Sequence, residues 1–246
     1  MKKLVAYITT GFPDKYFTVD LALTLRDAGV DTLELGIPFS DPVADGPVIE
    51  RANLLALQQG FKLKDLFEIS HEIGPMIDTL WMGYFNPFYH VGIGRFIAEA
   101  QSAQIHGFII PDLPHEEAEP YRPMMEEAGL ALIDFIAPTD TPERISMIAR
   151  GARKFLYLVA YAGITGSGQT EELSPIIETI RTHTDTPVYV GFGVNEQTAR
   201  AKIRGADGVI VGSAFVKVLL DDRLNPTHKI AKIAEMASRI KDMINT

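Results

Sequence analysis

Two carboxyls stand out by where they fall. Glu34 lies inside the apolar run Thr32-Leu33-Glu34-Leu35-Gly36, and Asp45 follows in the long connection Pro38-Phe39-Ser40-Asp41-Pro42-Val43-Ala44-Asp45-Gly46-Pro47. Alternation along a strand turns Leu33 and Leu35 to one face and Glu34 to the other. A carboxyl set among apolar groups loses hydration, its pKa rises, and it becomes suited to general acid/base work near neutrality. The bland alternative is a buried Glu satisfied by a hydroxyl or a water. Asp45 has two equal explanations, a cap for a helix starting near Pro47 or a functional carboxylate on a long loop. Asp112, in Pro111-Asp112-Leu113-Pro114, reads as a turn residue. Tyr157, in phase with Phe155 and Val159, reads as a core tyrosine whose hydroxyl needs a partner.

A different chemistry is spelled by small residues. Gly163-Ile164-Thr165-Gly166-Ser167-Gly168, Gly191-Phe192-Gly193 and Gly212-Ser213 end three successive apolar runs and contain no Lys or Arg. Glycines allow close backbone approach, and amides at the following helix starts can hold an anion, so these loops together point to a phosphate bound by neutral donors. Six histidines and no cysteine offer no ligand spacing for a metal. Gly191-Phe192-Gly193 alone is too short a fragment to indicate a dinucleotide.

The elements that must carry these groups follow a regular alternation. Short runs rich in Val, Ile, Leu and aromatics occur at 4–8, 32–35, 79–82, 107–110, 131–136, 155–159, 188–190 and 209–211 and read as strands buried on both faces. Between them lie helical periods, such as Phe17, Leu21, Leu25 and Ala28 before Gly29, and Ile230, Ile233, Ala237, Ile240 and Ile244 near the end. Ser174-Pro175 and Asn225-Pro226 look like helix starts with a capping residue before Pro. Eight such strands in 246 residues predict an α/β fold, a (β/α)8 TIM barrel forming a single domain over 1–246, rather than a doubly wound open sheet. In a barrel, chemistry sits at the C-terminal strand ends, where both carboxyls and all three glycine loops fall.

Composition narrows the partners. The net charge of −9 disfavours a nucleic-acid groove or an anionic membrane surface, both of which need clustered Lys and Arg. No run approaches the roughly 18 apolar residues of a membrane span, and the start shows no cleavage site, so a cytoplasmic location is expected.

The stretch from Leu33 through Pro47 resembles the signature of the tryptophan synthase alpha chain family. Further resemblance lies in Met82-Gly83-Tyr84-Phe85-Asn86-Pro87, Pro111-Asp112-Leu113-Pro114, Ala137-Pro138-Thr139, Gly163-Ile164-Thr165-Gly166, Gly191-Phe192-Gly193-Val194 and 206–214. The resemblance implies retro-aldol cleavage of indole-3-glycerol phosphate to indole and glyceraldehyde 3-phosphate. It implies Glu34 as acid/base, Asp45 as the carboxylate on the indole N–H, and Tyr157 as a catalytic tyrosine near the reacting side chain. Tyr7, Tyr84, Thr165 and Phe192 would bind substrate, and Gly166, Gly193, Gly212 and Ser213 the phosphate. It implies a beta-subunit partner in an α2β2 assembly, met by Asp41 and Pro42, with pyridoxal phosphate only on that partner and no cofactor or metal here. The segments 38–46 and 162–171 correspond to the family's mobile loops. Two departures stand out: the family's usual helix before the first strand has no counterpart, which puts lower-rim stability in question, and Tyr161 replaces smaller or basic residues. Competing readings are a phosphate-binding isomerase or synthase, which would want a strand-end Lys or metal-binding His, and a non-catalytic activating subunit.

Overall fold

The computed structural model describes residues 1–160 and 173–246. Eight parallel strands close a barrel in sequence order: β1 (Lys3–Thr9), β2 (Thr32–Gly36), β3 (Asp78–Met82), β4 (Gly107–Ile109), β5 (Ala131–Ile136), β6 (Leu156–Val159), β7 (Val188–Gly191) and β8 (Gly208–Val211). Each lies within one residue of the bounds expected from the apolar runs, and β8 pairs with β1 to complete the ring. The described helices are α1 (Lys15–Asp27), α2 (Pro47–Gln58), α3 (Leu63–Ile73), α4 (Phe85–Val91), α5 (Ile93–Ser102), α6 (His115–Ala118), α7 (Arg122–Glu127), α8 (Pro142–Gly151), α9 (Ser174–Arg181), α10 (Ala199–Lys202), α11 (Ser213–Leu219) and α12 (Pro226–Asn245). None is long and apolar enough to cross a membrane. Expectations attached to Tyr161, Thr165 and Gly166 lie outside the described residues.

Local chemistry sets the helix ends. The Asp14 carboxylate accepts from Phe17 N at 2.9 Å to start α1, and Gly29, at φ +93°, follows its end in the left-handed region. Asn225 accepts from His228 N at 2.9 Å and caps α12 as its spacing predicts. Ser174 does not cap. It is itself the first residue of α9, Leu173 precedes it at the cap position, and among the described residues there is no side-chain cap. Pro175 is tolerated in that turn because its missing N–H would have no acceptor there, so the helix starts one residue earlier than a Ser cap would place it.

Strand alternation builds two cores. Leu4, Ala6, Ile8, Leu33 and Leu35 face the helices, whereas Val5, Leu80, Ile109, Ile133, Phe155, Tyr157, Tyr189 and Ile210 fill the barrel. Three tyrosines lean across glycines of the neighbouring strand. A Cβ on Gly36 would lie 2.2 Å from the Tyr7 hydroxyl oxygen, one on Gly191 2.2 Å from Tyr157 Cε1, and one on Gly208 2.8 Å from Tyr189 Cδ1. These glycines are needed for space, since such approaches are far inside van der Waals contact.

At the lower rim, Asp31 meets Lys3 at 2.9 Å and also Lys241 while accepting from Leu4 N. Asp78 pairs with Lys154 at 2.8 Å and accepts from the Thr32 hydroxyl at 2.7 Å, and Asp207 pairs with Arg181. These pairs tie the starts of β1, β2, β3 and β8 to flanking elements at that end of the barrel. On the outer face of β5, the buried Asp134 is met by Arg122 and by His115 Nδ1 at 2.8 Å, so His115 serves an ion-pair cluster.

Because backbone and ring cannot both yield, Gly36→Ala and Gly191→Ala are each expected to destabilise the fold by about 1–3 kcal/mol. Gly46→Ala, with nothing within 4 Å of the added Cβ, serves as the reference without a clash and is expected to lose less stability than either. Urea unfolding of the three variants beside the parent checks this.

Candidate active site

The barrel mouth holds one pocket that both carboxyls reach. It is lined by Tyr7, Glu34, Ala44, Asp45, Ile49, Met82, Ile109, Phe135, Tyr157, Phe192, Gly193, Ile210, Gly212 and Ser213, among others. Its floor comes from inward-facing strand residues and its rim from the connections after β2, β7 and β8.

Glu34 stands in register between Tyr7 of β1 and Leu80 of β3. It is only 2% exposed, and among the described residues its Oε1 has no hydrogen-bond partner. Ionising it there would strand a charge in an apolar setting, so burial alone pushes its pKa up to about 8. Among the described residues neither a hydroxyl nor a cation satisfies that oxygen.

Asp45 is surrounded differently. Asn53 Nδ2 donates to its Oδ2 at 3.2 Å, and the Tyr84 hydroxyl also bonds the carboxylate. Burial pushes its pKa up to about 6, against those two hydrogen bonds and with a smaller upward push from Glu50. Asp45 does not cap α2. Gly46 occupies the cap position without a side-chain bond, and the carboxylate turns to Asn53 instead. One of the two explanations open for Asp45 is therefore absent from the structure.

Tyr84 sits one layer behind the pocket wall. It does not line the cavity; its hydroxyl accepts from Ala44 N at 3.1 Å, its ring stacks on Phe39 at 5.4 Å, and so it pins the loop that carries Asp45. Tyr7 and Tyr157 do line the cavity. Burial, with the nearby Asp45 and Glu34 carboxyls, pushes both phenols well above their ordinary pKa, so each remains a donor. Tyr157 stacks on Phe135 at 4.8 Å and meets Phe192 edge-on at 6.0 Å.

Phe192 adopts φ +70° and Gly193 φ +68°. A left-handed Phe costs on the order of 1 kcal/mol or more, and here the strain holds a 40% exposed ring over the cavity. Ser213 begins α11 directly after Gly212, so the first amides of that helix have no intrahelical acceptor, and both residues line the pocket. Gly193, Gly212 and Ser213 are thus brought together in the same pocket as the carboxyls; Gly166 lies outside the described residues. Asp41 is exposed on that loop, Pro42 is half-buried, and neighbouring Val43 is 73% exposed. Asp112 bridges two connections by accepting from Phe85 N at 2.8 Å, at the start of α4. Among the described residues no group of three or more His, Asp or Glu could hold a metal ion.

Sequence reasoning missed Asn53 and the apolar lining of Ile49, Met82, Ile109 and Ile210. The signal for Asn53 was its place two helical turns after Asp45, in line with buried α2 positions; an isolated Asn reads as an exposed helix residue until its neighbours are known.

A family model for the tryptophan synthase alpha chain matches residues 1–245. A tryptophan synthase alpha chain from Wolinella succinogenes is 60% identical over 100% of this chain and 97% of its own. The structure of tryptophan synthase subunit alpha from Campylobacter jejuni superposes with a TM-score of 0.87 at 34% identity, covering 96% of this chain and 95% of that one. Tryptophan synthase from M. tuberculosis in an aminoacrylate-bound form gives a TM-score of 0.87 at 31% identity, covering 99% and 93%.

The unpartnered Glu34 leaves a signature in stability. Its folded pKa, about 8, lies above the ordinary carboxyl value of 4.5, so between those pH values the folded chain holds a proton that the unfolded chain has released. Stability is therefore lost as pH rises through that window. Glu34→Gln removes the dependence, and its urea midpoint relative to the parent is expected to rise between pH 5 and pH 8. Parallel midpoints across that range would refute the buried, protonated carboxyl.

Proposed function

The chain belongs to the tryptophan synthase alpha chain family, and on that premise we propose that Glu34, Asp45 and Tyr157 carry its reaction. The activity is that of a carbon–carbon lyase: retro-aldol cleavage of indole-3-glycerol phosphate to indole and glyceraldehyde 3-phosphate, a step of tryptophan biosynthesis. The observation that carries the residue assignment is the unequal surroundings of two carboxyls in one pocket, which puts their pKa values at about 8 and about 6. At neutral pH one is an acid and the other a carboxylate.

Glu34, protonated, gives its proton to indole C3. The ring becomes an indolenine cation with positive charge at the ring nitrogen, and the Asp45 carboxylate stabilises that charge through the N–H. The hydroxyl on the adjacent side-chain carbon then loses its proton to the Glu34 carboxylate, directly or through a water. The oxygen's electron pair forms the aldehyde, the carbon–carbon bond breaks, and its electrons return to the ring as neutral indole. Protons balance, and Glu34 ends as it began. Tyr157, still protonated, can donate to the reacting side chain, while Tyr7 and Phe192 flank the ring. Thr165 and Gly166 would join the substrate and phosphate contacts from their own loop.

The phosphate is assigned to the amides of Gly193, Gly212 and Ser213 and to the Ser213 hydroxyl. An acidic chain holds a dianion there by oriented N–H groups at a helix start. A beta subunit is the partner of an alpha chain, and we assign its contact to the exposed β2 loop, where Asp41, Pro42 and the bare Val43 side chain supply a mixed polar and apolar edge. In the resulting α2β2 assembly pyridoxal phosphate would reside on the beta subunit, with no cofactor on this chain.

Indole release from indole-3-glycerol phosphate, with and without a beta subunit, tests the assignment. Glu34→Gln should lower kcat by about a thousandfold or more, within the range for loss of a general acid/base, while substrate still binds. Asp45→Asn should cost about a hundredfold or more. Wild-type turnover in Glu34→Gln would end the proposed mechanism. In kcat/KM the acid limb should fall near pH 6, where Asp45 must ionise, and the alkaline limb near pH 8, where Glu34 must keep its proton.

An added Cβ at Gly212 makes only ordinary contacts with Tyr7 and Ile49, the nearest at 3.4 Å. Gly212→Ala should therefore weaken glycerol 3-phosphate binding by roughly tenfold, the worth of one hydrogen bond to a charged group, while the chain still folds. Titration calorimetry reads this directly, and unchanged affinity would count against the amide site.

A further inference from the structure

We propose that Asn53 is a positioning residue for the reaction, holding the Asp45 carboxylate in the orientation from which it meets the indole N–H. The proposal rests on the role assigned to Asp45 above and extends it to a residue on a different element.

Asn53 is 1% exposed on α2, beside the fully buried Ala52 and Ala56. An amide there carries a cost, because among the described residues its Oδ1 has no hydrogen-bond partner. An apolar side chain of similar size would avoid that cost. What the amide supplies in return is the contact of Nδ2 with Asp45 Oδ2 at 3.2 Å. The donor stands on a regular helix, whereas Asp45 belongs to the loop before it, so the bond references a loop carboxylate to a rigid element. Tyr84 holds the same carboxylate from the connection after β3, and the Asp45 N–H donates to Pro42 O at 2.9 Å. Backbone, helix and strand end thus converge on one residue that must be aimed.

The groups facing Asp45 divide by sign. Glu50 on α2, Glu34 on β2 and the phenols Tyr7 on β1 and Tyr157 on β6 share its surroundings. Asn53 and Tyr84 are the two side chains that favour its ionised form. An N–H aimed at a carboxylate oxygen stabilises the anion and does nothing comparable for the acid. Removing it therefore affects two readouts together, the aim of the carboxylate and the pH at which it forms.

The test uses the full chain with a beta subunit present, and compares Asn53→Leu, Asn53→Asp and the exposed α2 reference Leu54→Ala. Asn53→Leu is expected to lower kcat by about tenfold, with KM for indole-3-glycerol phosphate within about twofold, and to move the acid limb of kcat/KM upward. Asn53→Asp keeps the side chain's shape, so it answers the question even where the Leu variant fails to fold. Its second carboxyl should move the limb further upward than Leu does. Leu54→Ala should leave both quantities unchanged. An acid limb that stays in place in both Asn53 variants overturns the proposal, whether kcat is retained or falls. Asp45→Asn, assayed in parallel, separates the two levels: full turnover there removes the underlying role of Asp45, whereas an inactive Asp45→Asn beside an unmoved limb removes only the role of Asn53.

Discussion

The site depends on one unfavourable arrangement, a carboxyl taken out of water with one oxygen left unpaired. Among the described residues Glu34 Oε1 is buried without a partner, and an unsatisfied group of that kind must be held in place by the rest of the fold. The barrel supplies the holding. Leu33 and Leu35 anchor β2 against the helices, which leaves Glu34 no choice but the interior. Tyr7 and Tyr157 occupy the space around it, and their close approach is possible only because Gly36 and Gly191 lack side chains. Packing that would ordinarily serve stability alone here also sets a proton affinity.

Asp45 shows the complementary solution. It belongs to a loop rather than a strand, accepts hydrogen bonds from Asn53 and Tyr84, and its pKa stays below neutrality at about 6. The two carboxyls differ less in residue chemistry than in what surrounds them. A rigid strand suits the group that must stay dry, and a bonded loop suits the group that must carry charge.

Much of this was legible in the sequence, for identifiable reasons. Strands buried on both faces appear as short apolar runs, so all eight were found within a residue of their ends. Glu34 was legible because a charge inside such a run violates the pattern around it. Asp45 was not decidable from local rules, since a helix cap and a functional carboxylate ask for the same residue at the same place; in the fold Gly46 takes the cap position and the carboxylate bonds Asn53. Ser174 misled because Ser before Pro is a good cap motif that the observed α9 start does not use. Asn53 and Tyr84 act through Asp45, and such contacts depend on which elements the barrel brings side by side. Tyr84 read as pocket lining, whereas in the fold it stands behind the loop.

The bond from Ala44 N to the Tyr84 hydroxyl has a thermodynamic reach beyond its 3.1 Å. One phenol is tied to the loop backbone and to the Asp45 carboxylate, so the loop cannot change its seating without altering the groups that face the ligand. A protein gripping the outer edge of that loop at Val43 and a small molecule in the barrel would then share a free-energy cycle. Whatever factor the partner adds to the affinity for the ligand, the ligand must return in full to the affinity for the partner. The affinity of a filled site for its partner would differ from that of an emptied one by this same factor.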